Sequence, residues 1–258
     1  FNSEKGSRQS MNVLIIQPNV NPYIDKFTRS YQDQLLDFIK LAKSSLTQET
    51  QLLLAPETAL LEQIWENKFE SSYSISVFRA LQDEFPNLNI LIGATTYKMF
   101  SPLEEKTNTA RKISNQNMFY DVYNSAVLIP NTGNVLVYHK TKLVPGAEKM
   151  PFPNILDPLA KLAVNLGGVS GSLGNENYLN SFLVDQSIIS PLICYESIYG
   201  EMNLGSTNLL AIITNDGWWK NTAGFKQHFQ YARLRAVEQR KSIVRSANTG
   251  ISGVINER

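Results

Sequence analysis

The 258-residue chain has a single cysteine, Cys194, and two histidines, His139 and His228. One cysteine cannot form an internal disulfide, so no disulfide framework holds this fold. Two histidines argue against a multi-histidine metal centre. Charge is scarce as well: 24 Lys plus Arg against 23 Asp plus Glu leave a net charge of +1. That balance gives no electrostatic footprint for nucleic acid and no basic block for another polyanion. The longest apolar runs, such as Val13 to Ile16 and Leu209 to Ile213, fall far short of the roughly 18 residues that a membrane span needs. The first ten residues are polar and contain no apolar signal-peptide core. The sequence as given is expected to behave as a soluble chain, with no internal repeat and no low-complexity stretch.

What is present suits a large core. Hydrophobic residues make up 43% and charged residues 18%, a globular balance at a length that one α/β domain can fill. Met11 to Gln17 and Gln51 to Ala55 read as buried strands, each stopped by a proline. Apolar residues at helical spacing predict helices over 27–46, 73–85 and 225–241. Asn124 to Ile129 and Val135 to His139 flank the turn-rich Pro130-Asn131-Thr132-Gly133-Asn134, which predicts a hairpin. Further strands are expected at 89–94, 179–184, 188–194, 208–214, 243–247 and 251–255. Strands alternate with helices early and late, with hairpins between, so mixed sheets in an α/β sandwich are expected. Two long irregular stretches, 98–118 and 144–178, have the length of functional loops. Residues 1–10 read as a polar leader or linker and 11–258 as one domain. The start at Phe1 and the stop just after a strand-like run suggest a domain cut from a longer protein.

Three residues at strand ends could carry chemistry. Cys194 closes the apolar run 188–193, where a strand-to-turn junction can expose a side chain beside backbone N–H groups. A lone cysteine after a buried strand is more commonly a packed small hydrophobe, and a catalytic thiol needs a base. Either histidine could serve, although nothing local ties one to Cys194. Glu57, after Leu52-Leu53-Leu54-Ala55-Pro56, could do the same work as a buried carboxylate. Lys140, ending the strand 135–139, could hold a thiolate or a developing oxyanion, though a strand-end lysine usually points to solvent. Taken together, the three suggest one edge of a sheet.

Glu57 within Ala55-Pro56-Glu57-Thr58-Ala59, Lys140 within Tyr138 to Pro145, and Cys194 within Ile193-Cys194-Tyr195-Glu196 resemble the Glu-Lys-Cys triad of the nitrilase superfamily. Within it the chain is most similar to the extramembrane domain of the apolipoprotein N-acyltransferases. That likeness is carried by Lys140 to Glu148, Asn215 to Trp219, Gln227-His228, Arg233 to Glu238 and Arg245 to Ser252. The resemblance implies a four-layer αββα sandwich, with Glu57 as general base, Lys140 as the oxyanion-stabilising cation and Cys194 as nucleophile. Glu148 matches a second glutamate near the triad, although Gly146-Ala147 departs from the aromatic-Gly pair usual before it. Tyr195 and Glu196 match the positions after the nucleophile, with the Tyr195 N–H a potential oxyanion donor.

The implied reaction moves a fatty acyl chain from a phospholipid donor to Cys194 as a thioester. The chain then passes to the N-terminal amine of a diacylglyceryl-cysteine apolipoprotein, and the implied reaction requires no cofactor or metal. Trp218, Trp219, Met150 and Phe152 would supply an apolar, water-excluding surface, or else pack beneath a long loop. The resemblance also implies membrane attachment through helices outside this sequence and a place on the periplasmic face of the bacterial inner membrane. A soluble carbon–nitrogen hydrolase with the same triad is the main alternative, and a non-catalytic binding module a more distant one. Arg233, Arg235 and Arg240 are expected on a solvated helix face, with Arg235 and Glu238 paired. Asn248-Thr249-Gly250 is expected to form a turn beside the active site.

Overall fold

A computed structural model describes residues 10–21, 29–114, 116–149, 172–202 and 205–257. Two sheets dominate it. The first is built on β1 (Val13–Ile15), β2 (Leu52–Leu54) and β4 (Asn89–Met99), which run parallel. Antiparallel to β4 lies the long β6 (Phe119–Ile129), which also pairs β5 (Arg111–Lys112). Two shorter strands complete this sheet: β3 (Leu60–Trp65) on β4 and β7 (Leu136–His139) on β6. The second sheet has the order β12-β11-β10-β9-β8. Its strands are β8 (Phe182–Val184), β9 (Ser187–Ile193), β10 (Leu209–Thr214), β11 (Ser242–Ala247) and β12 (Gly253–Ile255). Strands β9, β10 and β11 are parallel, and the outer two antiparallel.

Side-chain alternation explains the layering. Leu52 and Leu54 of β2 face inward with Leu91, Leu128 and Tyr138, against Phe182, Ile189, Ile193, Ala211 and Ile213 of the other sheet. Leu53, Ile90 and Ile92 point the other way and pack on Leu35 and Phe38 of α1 (Tyr31–Lys43) and Phe78 and Leu81 of α2 (Tyr73–Glu84). On the far side Leu192, Leu210 and Ile212 meet Ala232 and Ala236 of α3 (Gly224–Gln239). Buried on both faces, β2 needs an unbroken leucine run rather than an alternating one. Each such leucine contributes about 1.5–3 kcal/mol by its burial. The result is the expected helix–sheet–sheet–helix sandwich.

Local signals set the helix starts. Ser30 Oγ accepts from the Asp33 N–H at 3.1 Å, and Ser72 Oγ from Ile75 N–H at 3.2 Å, side-chain caps that satisfy orphan donors. Glu62 accepts from the N–H groups of Tyr73 and Ser74, a carboxylate on the positive end of α2. Among the described residues the helix expected over 27–46 therefore begins at Tyr31. Strand β3 and the 3-10 turns Glu66–Ser71 were not foreseen, because Leu60–Trp65 mixes two charged or polar residues into a strand that is only partly covered. The irregular stretch from 98 also proved shorter, since β4 extends to Met99 and β5 interrupts it. Arg235 departs from expectation as well. It pairs with Glu238 at 3.0 Å but is buried, not solvated, because α3 turns that face onto the Cys194–Ile198 turn.

Among the described residues no helix is long and apolar enough to cross a membrane. The polar leader falls almost wholly outside the described residues.

Candidate active site

Strands β2, β7, β9 and β10 all run toward the same edge, and the residues just past their C-terminal ends line one cavity. Open α/β sheets place their ligand sites at such an edge. The cavity measures about 520 Å³ and is bordered by Glu57, Asn124, Lys140, Glu148, Cys194 and Asn215. Its apolar wall comes from Val144, Leu173, Ile198, Trp218, Trp219 and Tyr231. Tyr195 borders it too.

Glu57 is placed by a turn packed tightly on β4. A Cβ on Gly93 would fall 2.5 Å from Thr58 N and 2.6 Å from Glu57 Cα, so only glycine allows this approach. The Glu57 carboxylate is buried and takes hydrogen bonds from Lys140 Nζ at 3.1 Å, Asn124 Nδ2 at 2.8 Å and Asn215 N–H at 3.2 Å. Glu148 mirrors it, accepting from Lys140 Nζ at 2.9 Å, Asn124 Nδ2 at 2.7 Å and Val144 N–H at 2.8 Å.

Lys140 is 1% exposed, so it has none of the solvent that a strand-end lysine normally keeps. Burial alone would depress its ammonium, but Glu57 and Glu148 more than reverse that and its pKa is raised. A fixed cation therefore sits between two carboxylates at the cavity floor. Removing it would leave buried charges unpaired, which costs about 3–5 kcal/mol.

Cys194 leads the short 3-10 turn Cys194–Ile198 directly after β9 and has φ 50°. This is the left-handed region, where a non-glycine residue is strained; a sharp strained turn of this kind can expose a side chain. Cys194 is partly exposed at the cavity. Its thiol is pushed up to about 12, chiefly by burial and then by the Glu57 charge, against the lowering pull of Lys140 and a Thr214 hydrogen bond. At rest Cys194 is thus a neutral thiol, which would have to lose its proton before its sulfur could attack.

Glu196, fully buried, holds the turn rather than facing the cavity. Its Oε2 accepts from Ile193 N–H at 2.7 Å, and its Oε1 from Thr141 N–H at 2.7 Å and Thr141 Oγ1 at 2.8 Å. One carboxylate so ties the segment after Lys140 to the segment before Cys194.

Beneath the elbow lies a second buried group. His228 Nδ1 is 2.9 Å from Asp216 Oδ1, and Arg245 Nη2 donates to both Asp216 oxygens at 3.1 and 3.0 Å. Burial favours a neutral Asp216, but the His228 hydrogen bond and the Arg245 charge outweigh it and hold the carboxyl below its usual range. His139, in contrast, is paired with Glu66 and Glu176, away from Cys194.

The structure thus brings Glu57, Lys140, Glu148, Cys194, Tyr195, Trp218 and Trp219 to one cavity, with Glu196 behind it. Trp218 and Trp219 form wall rather than core, and Trp219 rests on Gly224, where a Cβ would come within 2.5 Å of the ring. Met150 and Phe152 lie outside the described residues. Asn124 carries as many contacts to the carboxylates as Lys140 does, yet it looked like one more residue of a hairpin strand. Its signal was the polar pair Asn124-Ser125 inside an otherwise apolar run.

Residues 15–257 match the family described as carbon–nitrogen hydrolase. The chain belongs to that family. Curated relatives named apolipoprotein N-acyltransferase include one from Rhodopseudomonas palustris, 30% identical over 96% of this chain and 44% of its own length. Another, from Sinorhizobium fredii, is 37% identical over 53% of this chain and 26% of its own length. The chain therefore spans less than half the length of these relatives. Among solved structures, an amidase from Nesterenkonia sp. AN1 superposes with a TM-score of 0.59 at 15% identity, covering 96% of this chain and 86% of that one. At that identity the likeness speaks for the fold alone: a nitrilase-type α/β sandwich.

Proposed function

We propose that this chain is the catalytic domain of an apolipoprotein N-acyltransferase. The observation that carries the reading is the apolar wall of Val144, Leu173, Ile198, Trp218, Trp219 and Tyr231 standing over a Glu57–Lys140–Cys194 floor. A hydrolase of small amides gains little from such a chamber, whereas a fatty acyl chain fills it. The names of the relatives point the same way.

In this reading Cys194 attacks the carbonyl of a phospholipid acyl ester. Glu57 takes the thiol proton as the S–C bond forms and returns it to the departing lysophospholipid oxygen. Lys140 stabilises the oxyanion, and the Tyr195 N–H is a further donor to it. The amine of a diacylglyceryl-cysteine at an apolipoprotein's N-terminus then attacks the thioester. Glu57 accepts an amine proton and delivers it to the Cys194 sulfur. Glu148 and Asn124 keep Lys140 and Glu57 in register. Residues absent from this sequence would anchor the domain to the inner membrane, on its periplasmic face.

Intact-mass spectrometry of the membrane-embedded protein after incubation with phospholipid tests the proposal, with Cys194→Ala as control. A fatty-acyl adduct on the wild type alone, discharged by a diacylated lipopeptide, is the expected result. Hydrolysis of small amides without an acyl adduct would replace it with the hydrolase reading.

A further inference from the structure

The left-handed backbone at Cys194 costs about 1–3 kcal/mol and persists only where the surroundings over-determine it. Two side chains lie against its carbonyl oxygen: Ser197 Oγ donates to it at 2.8 Å, and His228 Nε2 lies 3.0 Å from it and 2.9 Å from that same Ser197 Oγ. A carbonyl oxygen only accepts, so the geometry assigns a hydrogen to Nε2. The other face of the ring is set by Asp216 at 2.9 Å, and Asp216 in turn by Arg245. All four side chains are buried, Arg245 and Ser197 completely.

The layout is that of a base with its orienting acid, but it points at the nucleophile's backbone instead of its sulfur. The acyl-transfer steps give His228 no proton to move, which leaves this buried relay without a task in the chemistry itself. We propose that His228 is a positioning residue: its Nε2–H clamps the Cys194 carbonyl, fixing the turn that presents the thiol to Glu57 and Lys140. Asp216 and Arg245 set the ring's orientation. The inference rests on Cys194 being the nucleophile, and not on which acyl donor or acceptor is used.

The test is acylation of the purified protein by a p-nitrophenyl acyl ester, followed as the burst of p-nitrophenolate and as acyl mass on Cys194. In that step the S–C bond forms and the C–O bond breaks. The thiol proton passes through Glu57 to solvent while p-nitrophenolate leaves. Misplacing a reacting group by about 1 Å costs on the order of 10²-fold. His228→Ala should therefore lose about that factor in the acylation rate constant, with the half-saturating ester concentration unchanged. His228→Gln, which keeps an N–H donor, should recover most of the loss.

Equal losses in both variants, or no loss in either, would overturn the proposal. So would a loss that appears only in half-saturation. Should His228→Ala not fold, Ser197→Ala removes the other donor to the same carbonyl and should slow the same rate constant; an unchanged rate there would count against the clamp. A wild-type protein with no burst would remove Cys194 as nucleophile and this proposal with it. A burst without transfer to a lipopeptide would remove only the acyltransferase reading.

Discussion

The hydroxyl of Tyr138 donates to Glu196 Oε1 at 2.7 Å across the interface between the two sheets. Tyr138 sits two residues before Lys140, and Glu196 two after Cys194, so this bond links the strand that ends at Lys140 to the turn that begins at Cys194. Burial, the Glu196 charge and the bond between them together raise the Tyr138 pKa, which keeps the phenol a donor at any working pH. Tyr138→Phe removes one hydrogen bond and should lower stability by about 1 kcal/mol. Glu196→Ala leaves the buried Ile193 N–H without its acceptor and unpairs Thr141 as well, at about 1–3 kcal/mol for each group. Denaturant unfolding of both variants checks the order; equal losses would refute the clamp.

Glu57 has two opposed effects on Cys194. In the proposed reaction it is the base that takes the thiol's proton, yet its charge helps hold the thiol up at about 12. Glu57→Gln should therefore abolish acyl transfer while making direct alkylation easier. With the wild type, the iodoacetamide rate should keep climbing past pH 9 without the inflection of an ordinary cysteine near about 8.5. In the Gln variant the climb should begin at lower pH. As the only cysteine, Cys194 accounts for every thiol alkylation, read as adduct mass on its own peptide. A slower alkylation in the variant at all pH values would show that the carboxylate lowers the thiol's pKa.

Much of this was legible because the core follows simple periodicities. The leucine run of β2, the hairpin of β6 and β7, and the amphipathic α2 each declare their type within a few residues. Glu57, Lys140 and Cys194 were visible as polar residues ending apolar runs, and their quoted surroundings made them a set. What stayed hidden depends on contacts far apart in sequence. Arg235 reads as a surface charge from its neighbours and is buried only because α3 lies on the turn after Cys194. Asn124 reads as a strand residue until Glu57 and Glu148 are brought to it. The relay from Arg245 to His228 joins α3 to β11, and no local pattern announces that meeting.

Gly93 supports the site without touching the cavity. Any side chain there collides with the backbone of Thr58 and Glu57, and backbone cannot swing aside as a flexible side chain can. Gly93→Ala should destabilise the protein by about 1–3 kcal/mol through overpacking. It should also cut the acylation rate more than the stability loss explains, because the displaced atoms carry Glu57, the proposed base. Rates measured well below the unfolding temperature separate the two effects. A variant with full acylation rate and reduced stability would show that the turn moves without shifting the carboxylate.

His139 makes the segment after residue 171 sensitive to pH. Its ring lies between Glu66 at 2.6 Å and Glu176 at 2.8 Å, stacked on Tyr123 with centroids 3.9 Å apart, while Lys98 reaches Glu176 at 3.5 Å. Burial favours the neutral ring, but the two carboxylates outweigh it, and the His139 pKa is raised above 6.5. Glu176 goes the other way: burial opposes its charge, yet His139 and Lys98 bring it from 4.5 down to about 2. A raised histidine gives stability that is complete below its unfolded pKa and lost as pH rises through the folded one. A lowered carboxylate gives stability that is present above its unfolded pKa and lost as pH falls through the folded one. The pair therefore holds best between about 4.5 and 6.5 and loosens above that window. Nearby, Leu173 N–H bonds Glu148 O at 2.9 Å and Gly174 N–H bonds Val122 O at 2.8 Å, so loosening reaches the backbone beside the catalytic floor. Hydrogen exchange of these two amides, corrected for intrinsic rates, should lose protection as pH rises above the window. His139→Gln should flatten that dependence, and an unchanged slope in the variant would assign it to another group.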